Sequence, residues 1–135
     1  MAGVPHALFE STALVENSAE PPDATLAEAL VAACRRARFA CSEVDLWRDV
    51  GWTFDASVDA ARFEIYFSRY RGSSTLLAVS PQDRKSNSGG NLLKLCTVVH
   101  DELARSAAIR NLRWMLGGPP ERVTTVETPT LLAMS

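Results

Sequence analysis

The stretch from Asn91 to Leu116 restricts the fold more than any other, because a helical apolar period gives way there to a strand period. Leu92, Leu95, Val99 and Leu103 recur at i, i+3, i+7 and i+11, with Cys96 widening the stripe, which makes one face of a helix apolar. Asn91 stands where a cap is expected. Beyond Ser106, Leu112, Trp114 and Leu116 alternate with Asn111, Arg113 and Met115, the period of a half-buried strand. A helix packed on a sheet is the minimum that satisfies both patterns.

Upstream, Thr25 and Glu28 make a capping box, and the helix it opens buries Leu26, Leu30, Ala33 and Ala37. Arg35, Arg36 and Arg38 crowd its last turns, where cations suit the helix dipole. Residues 40–50 are ambiguous between a short strand and a linker. From Gly51 the pattern is plain: Trp52, Phe54 and Ala56 alternate with polar residues, then Phe63, Ile65 and Phe67 alternate with Glu64, Tyr66 and Ser68. Thr75 to Val79 forms a third strand, so an antiparallel meander is expected. Residues 82–90 hold no large apolar side chain and two adjacent glycines, and read as a mobile loop. Val123 to Val126 suits a short edge strand. The expected order is α-β-β-β-α-β, a two-layer α+β sandwich with both helices on one face of an antiparallel sheet.

Charge divides the chain unevenly. Residues 1–34 carry Glu10, Glu16, Glu20, Asp23 and Glu28 and no Lys or Arg, which leaves 14 basic against 11 acidic residues in 35–135. Residues 1–23, with Pro5, Pro21 and Pro22, are expected to be a loosely ordered acidic arm whose patch of Leu8, Phe9, Leu14 and Val15 docks elsewhere. Residues 24–135 are then the single domain. No apolar run reaches the roughly 20 residues of a membrane helix, and an odd count of three cysteines fits a reducing compartment. A cytoplasmic location is expected.

Chemistry-bearing residues are few. Cys96 and His100 share a helix face, and Cys34 with Cys41 would complete a three-Cys, one-His metal set. The Cys34–Cys41 step is not the tight pair of a structural zinc site, and Cys34 and Cys96 lie on apolar stripes where cysteine acts as a small hydrophobe. No metal and no cofactor are expected. Neither a Gly-x-Ser-x-Gly elbow nor a His-Glu-x-x-His pair occurs. The loop residues Arg84, Lys85, Ser88, Gly89 and Gly90 precede a helix N-terminus, the arrangement that attracts phosphate, but the glycines follow the lysine rather than precede it. Nucleic-acid binding through scattered arginines and sheet tyrosines is disfavoured by an acidic pI of about 5.7. Arg62, Tyr66, Arg69, Tyr70 and Arg71 are instead the residue types that anchor protein interfaces.

Gly51-Trp52 opening the meander, the Leu92–Leu103 helix and the Ile109-Arg-Asn-Leu-Arg-Trp114 strand resemble a pattern in small bacterial α+β proteins without assigned function. The α-β-β-β-α order is also similar to that of secretion chaperones and toxin-immunity proteins, although the long C-terminal helix of such chaperones is missing. The resemblance implies no catalytic residue. The expectation is a non-catalytic protein-binding module, as adaptor, chaperone, immunity-type partner or homo-oligomer. The alternative is a small ligand- or phosphate-binding domain or enzyme using the 82–91 loop and His100.

Overall fold

The computed structural model describes residues 4–11, 24–47, 51–72, 74–83, 86, 90–117 and 120–132. Its elements are β1 (Pro5–Ser11), α1 (Ala24–Arg36), β2 (Ala40–Cys41), β3 (Asp45–Trp47), β4 (Gly51–Val58), β5 (Ala61–Arg69), β6 (Ser74–Pro81), α2 (Asn91–Arg105) and β7 (Ile109–Leu116). Short 3-10 turns follow at Pro120–Arg122 and Pro129–Leu131. The expected succession is present as α1, β4, β5, β6, α2 and β7, and β1, β2 and β3 are added to it. The fold is mixed α+β, with a seven-stranded antiparallel sheet in the order β2-β4-β5-β6-β1-β7 and β3 also on β4.

The first added strand corrects the expectation of a loose N-terminal arm. Residues 5–11 lie inside the sheet, paired from His6↔Ala78 to Glu10↔Ser74 on β6 and from Pro5↔Leu116 to Ser11↔Ile109 on β7. Ala7, Leu8 and Phe9 are all buried, because a central strand covered on both faces carries a continuous apolar run rather than an alternating one. Pro5 sits at the first strand position, where a missing N–H costs no interior ladder bond. Residues 12–23, including Leu14 and Val15, lie outside the described residues.

β1 also sets the direction of its neighbours. It runs antiparallel to both β6 and β7, so those two are parallel to each other and α2 is the crossover between them. The expected meander β4-β5-β6 is present, and its ladders run from Gly51↔Ser68 to Val58↔Ala61 and from Phe63↔Pro81 to Arg69↔Thr75. Ambiguous residues 40–47 resolve into β2 and β3, which share the outer edge of β4. One core cluster joins alternate strand residues Ala7, Phe9, Phe54, Phe63, Ile65, Phe67, Leu77, Val79 and Trp114 to the helix stripes Leu30, Val31 and Cys34 of α1 and Leu92, Leu95, Cys96, Val99 and Leu103 of α2. Arg36 of α1 and Arg105 of α2 both bind Glu102 Oε1, the former at 3.3 Å, which ties the helices at their polar margin.

Two local details depart from the sequence reading. The cap of α2 is Gly90, at φ 78°, and Asn91 is the first helical residue. In β7, Asn111 takes φ 57° at a bulge, where the register slips between Leu8 and Glu10, and its Nδ2 donates to Glu10 Oε2 at 2.6 Å. Met115, expected outside, is buried beside His6 on the opposite face of the sheet, where Leu8 and Ala78 are buried as well.

Gly51 opens β4 where the chains approach closely: a Cβ there would stand 2.0 Å from Phe67 O and 2.8 Å from Ser68 Cβ. Backbone oxygen in a ladder cannot yield as a flexible side chain would. Gly51→Ala is expected to cost about 2–4 kcal/mol, read as a lower urea midpoint with unchanged slope. An unchanged midpoint would show that β4 and β5 separate freely at this end.

Candidate functional site

The interface residues expected from sequence do not form one patch. Arg62 lies at the start of β5, exposed, 3.5 Å from Asp83, while Tyr70 lies just past its end, roughly 25 Å away at strand rise. Tyr66 is half-buried in mid-strand on the face opposite the helices, opposite Ala78 and Thr53. Arg69 follows the alternation of Phe63, Ile65 and Phe67, so it turns to the helix-bearing face, opposite buried Thr75. Tyr70 and Arg71 remain together at the turn into β6.

That turn meets the chain returning from β7. Gly117 N donates to Val4 O at 2.9 Å, and the 3-10 turn Pro120–Arg122 then carries Glu121 to the end of β5. Tyr70 Oη donates to Glu121 Oε1 at 2.8 Å, Arg71 pairs with the same oxygen at 3.1 Å, and the Arg71 guanidinium lies over the Tyr70 ring at 5.3 Å. The Glu121 carboxyl is held below its ordinary range by a hydrogen bond from its own backbone, then by Tyr70 and Arg71. The Tyr70 phenol is raised, first by its bond to Glu121. Farther on, Val126 exchanges both backbone bonds with Trp114, at 2.7 and 2.8 Å. The edge strand expected over Val123–Val126 is thus a single bridge.

Between this returning segment and the sheet is an open cleft of ≈ 360 Å³. Leu8, Pro120 and Val123 give it apolar surface, Ser74, Tyr70 and Thr125 give it hydroxyls, and Arg71 and Arg113 give it positive charge. Arg71 is neutralised by Glu121, whereas Arg113 has no hydrogen-bond or ion-pair partner among the described residues. Sequence reading missed Arg113 as a site residue. It looks like any outward strand arginine until pairing with Leu8 brings it into the cleft.

Of the residues named for a ligand loop, Arg84, Lys85, Ser88 and Gly89 lie outside the described residues, and Gly90 is the exposed cap of α2. The described part of that loop is pinned. Buried Ser86 accepts Arg62 N at 2.7 Å and donates to Asp83 Oδ1 at 2.7 Å, and its own N–H reaches the same oxygen at 2.9 Å. Those two bonds from Ser86, ahead of Arg62, hold the Asp83 carboxyl below its ordinary range.

His100 is engaged with the core rather than with a cleft: Trp114 Nε1 donates to its Nδ1 at 3.0 Å. In that bond Nδ1 is the acceptor, because an indole nitrogen can only donate. Of the four residues weighed as a metal set, Cys34 is buried on α1 and Cys41 is half-buried on β2, its Sγ donating to Phe39 O at 3.8 Å. Cys96 is buried, and its thiol is pushed up by desolvation. Among the described residues no three His, Cys, Asp or Glu side chains are grouped to hold a metal ion. No protein-family model matches the chain, and no curated protein matches its sequence.

Two outcomes follow from the histidines. His100→Leu leaves the buried indole N–H of Trp114 unpaired and is expected to cost about 1–3 kcal/mol, with an altered tryptophan emission in the folded state. His6 donates from Nδ1 to Val4 O at 2.8 Å, but burial outweighs that bond and sets its pKa below the ordinary 6.5. The unfolded chain therefore takes up this proton first. The stability contributed by neutral His6 is complete above 6.5 and is lost as the pH falls toward the lower folded value. Urea midpoints should drop between about pH 7.5 and about pH 5.5, and His6→Phe should flatten that slope if it folds. An equal slope in the variant would assign the effect to other groups.

Proposed function

We propose that the chain is a protein-binding module that engages an acidic segment of a partner through the Arg113 cleft, with Tyr70 and Arg71 at its rim. The observation that carries this reading is the Arg113 guanidinium, without a partner among the described residues, beside the apolar Leu8 and Val123 in a cleft whose other cation is already paired. Guanidinium binds carboxylate bidentately, and a neighbouring apolar surface strengthens that bond by excluding water. Tyr70 is held by Glu121 and Arg71, so its ring needs little ordering on association. The role is adaptor, chaperone or immunity-type partner, or assembly with a second copy, without catalysis. Three free cysteines suit a cytoplasmic location. Among the described residues no helix is long and apolar enough to cross a membrane.

The alternative ligand or enzyme reading rested on the 82–91 loop and His100. It draws no support from His100, whose Nδ1 is taken by Trp114. Ser86, inside that loop, serves the start of β5.

Tagged protein captured from native extract, followed by reconstitution with the purified partner and calorimetry, tests the proposal. Arg113→Ala is expected to weaken the complex by about 30-fold, near 2 kcal/mol, and His100→Leu to leave it within twofold or so. Binding that survives Arg113→Ala and Tyr70→Ala, or that requires His100, would overturn the cleft as the contact.

A further inference from the structure

Among the described residues, three charged side chains line the cleft, Arg71, Arg113 and Glu121, and two positive against one negative leave it a fixed charge of +1. Glu121 is carried there by the 3-10 turn Pro120–Arg122 and is held from two sides. Tyr70 Oη donates to its Oε1 at 2.8 Å, and Arg71 Nη1 stands 3.1 Å from the same oxygen, with the Arg71 guanidinium over the Tyr70 ring. One phenol proton and one guanidinium are thereby spent inside the protein. The charged donor left for a ligand is the planar fork of Arg113, with Leu8, Pro120 and Val123 as apolar neighbours.

We propose that the cleft selects a carboxylate over a phosphate, and that Glu121 is the residue that sets this choice. The choice rests on the cleft being the contact, as proposed above, and it gives the partner's acid a chemical class: an aspartate or glutamate side chain among apolar residues, not a phosphorylated one.

Charge favours the carboxylate. A phosphomonoester carries about −1.5 to −2 at neutral pH, against a single charge on a carboxylate. Attraction to the cleft grows in proportion to the ligand's charge, whereas the cost of drawing that charge out of water grows as its square. Doubling the charge therefore doubles the gain and roughly quadruples the cost. The side chains of Leu8, Pro120 and Val123 make the cost count, because they offer no hydrogen bond in place of the water removed. Geometry acts in the same direction. A guanidinium meets both oxygens of a carboxylate with two parallel N–H bonds. A phosphate presents a third oxygen, and Arg71, the other cation lining the cleft, already faces Glu121. Glu121 thus acts twice, withholding Arg71 and lowering the fixed charge.

Two pentapeptides, acetylated and amidated, place valine and leucine around one central glutamate or one central phosphoserine. Each is titrated into the full-length protein at low salt and about pH 7.5, where the phosphate is a dianion. The Nε–Hε resonance of Arg113, assigned by its loss in Arg113→Ala, reports binding. The glutamate peptide is expected to bind about tenfold tighter than the phosphoserine peptide. Glu121→Gln keeps an acceptor for Tyr70 and removes only the charge, and because Glu121 is exposed the variant should fold. In it the glutamate peptide should gain about threefold and the phosphoserine peptide about tenfold, since each unit of ligand charge is relieved of the same repulsion. Phosphoserine binding as tightly as glutamate in the unsubstituted protein, or a ratio unchanged by Glu121→Gln, would overturn the selection while leaving the cleft an acid site. An Arg113 resonance moved by neither peptide would instead overturn the cleft as the contact, and the selection with it.

Discussion

The fold depends on β1 being hydrogen-bonded along both edges. Without it β6 and β7 would be two parallel strands with a gap between them, and the meander would be joined to β7 through α2 alone. With it, every ladder in the sheet is antiparallel and Ala7 and Phe9 enter the same cluster as Phe63, Leu77 and Trp114. The same strand places Leu8 and His6 on the opposite face, so one short segment contributes to both sides of the sheet.

The helices depend on that sheet in turn. Their apolar stripes meet strand residues of one alternation, while Glu102 gathers Arg36 and Arg105 at the rim. Exposed ion pairs of this kind contribute little to stability on their own, typically below about 1 kcal/mol, but they set where polar and apolar surface divide. The bulge at Asn111 is another device of the same order. It absorbs an extra residue in β7 and lets Trp114 face inward to reach His100.

Polar features lie in separate places on this scaffold. The cleft is made where the chain returning from β7 crosses to the end of β5, and tyrosine, arginine and small apolar surface line it. His100, the one histidine in a helix, serves packing. A buried indole requires an acceptor, and the imidazole supplies it.

Local patterns in the sequence determined α1, the β4-β5-β6 meander, α2 and β7, because each carries a hydrophobic period that only one backbone period satisfies. They also marked Tyr70 and Arg71 by residue type. They missed β1, since Ala7, Leu8 and Phe9 do not alternate and Pro5 reads as a breaker; burial on both faces removes the signal that a half-exposed strand shows. They missed Arg113 as a cleft residue, because its place there does not depend on spacing along a strand or helix. Strand order, the bulge that re-aims Trp114, the burial of Met115 and the cleft were decided by the tertiary structure, in which residues far apart in the chain share hydrogen bonds, charge and excluded water that no local period encodes.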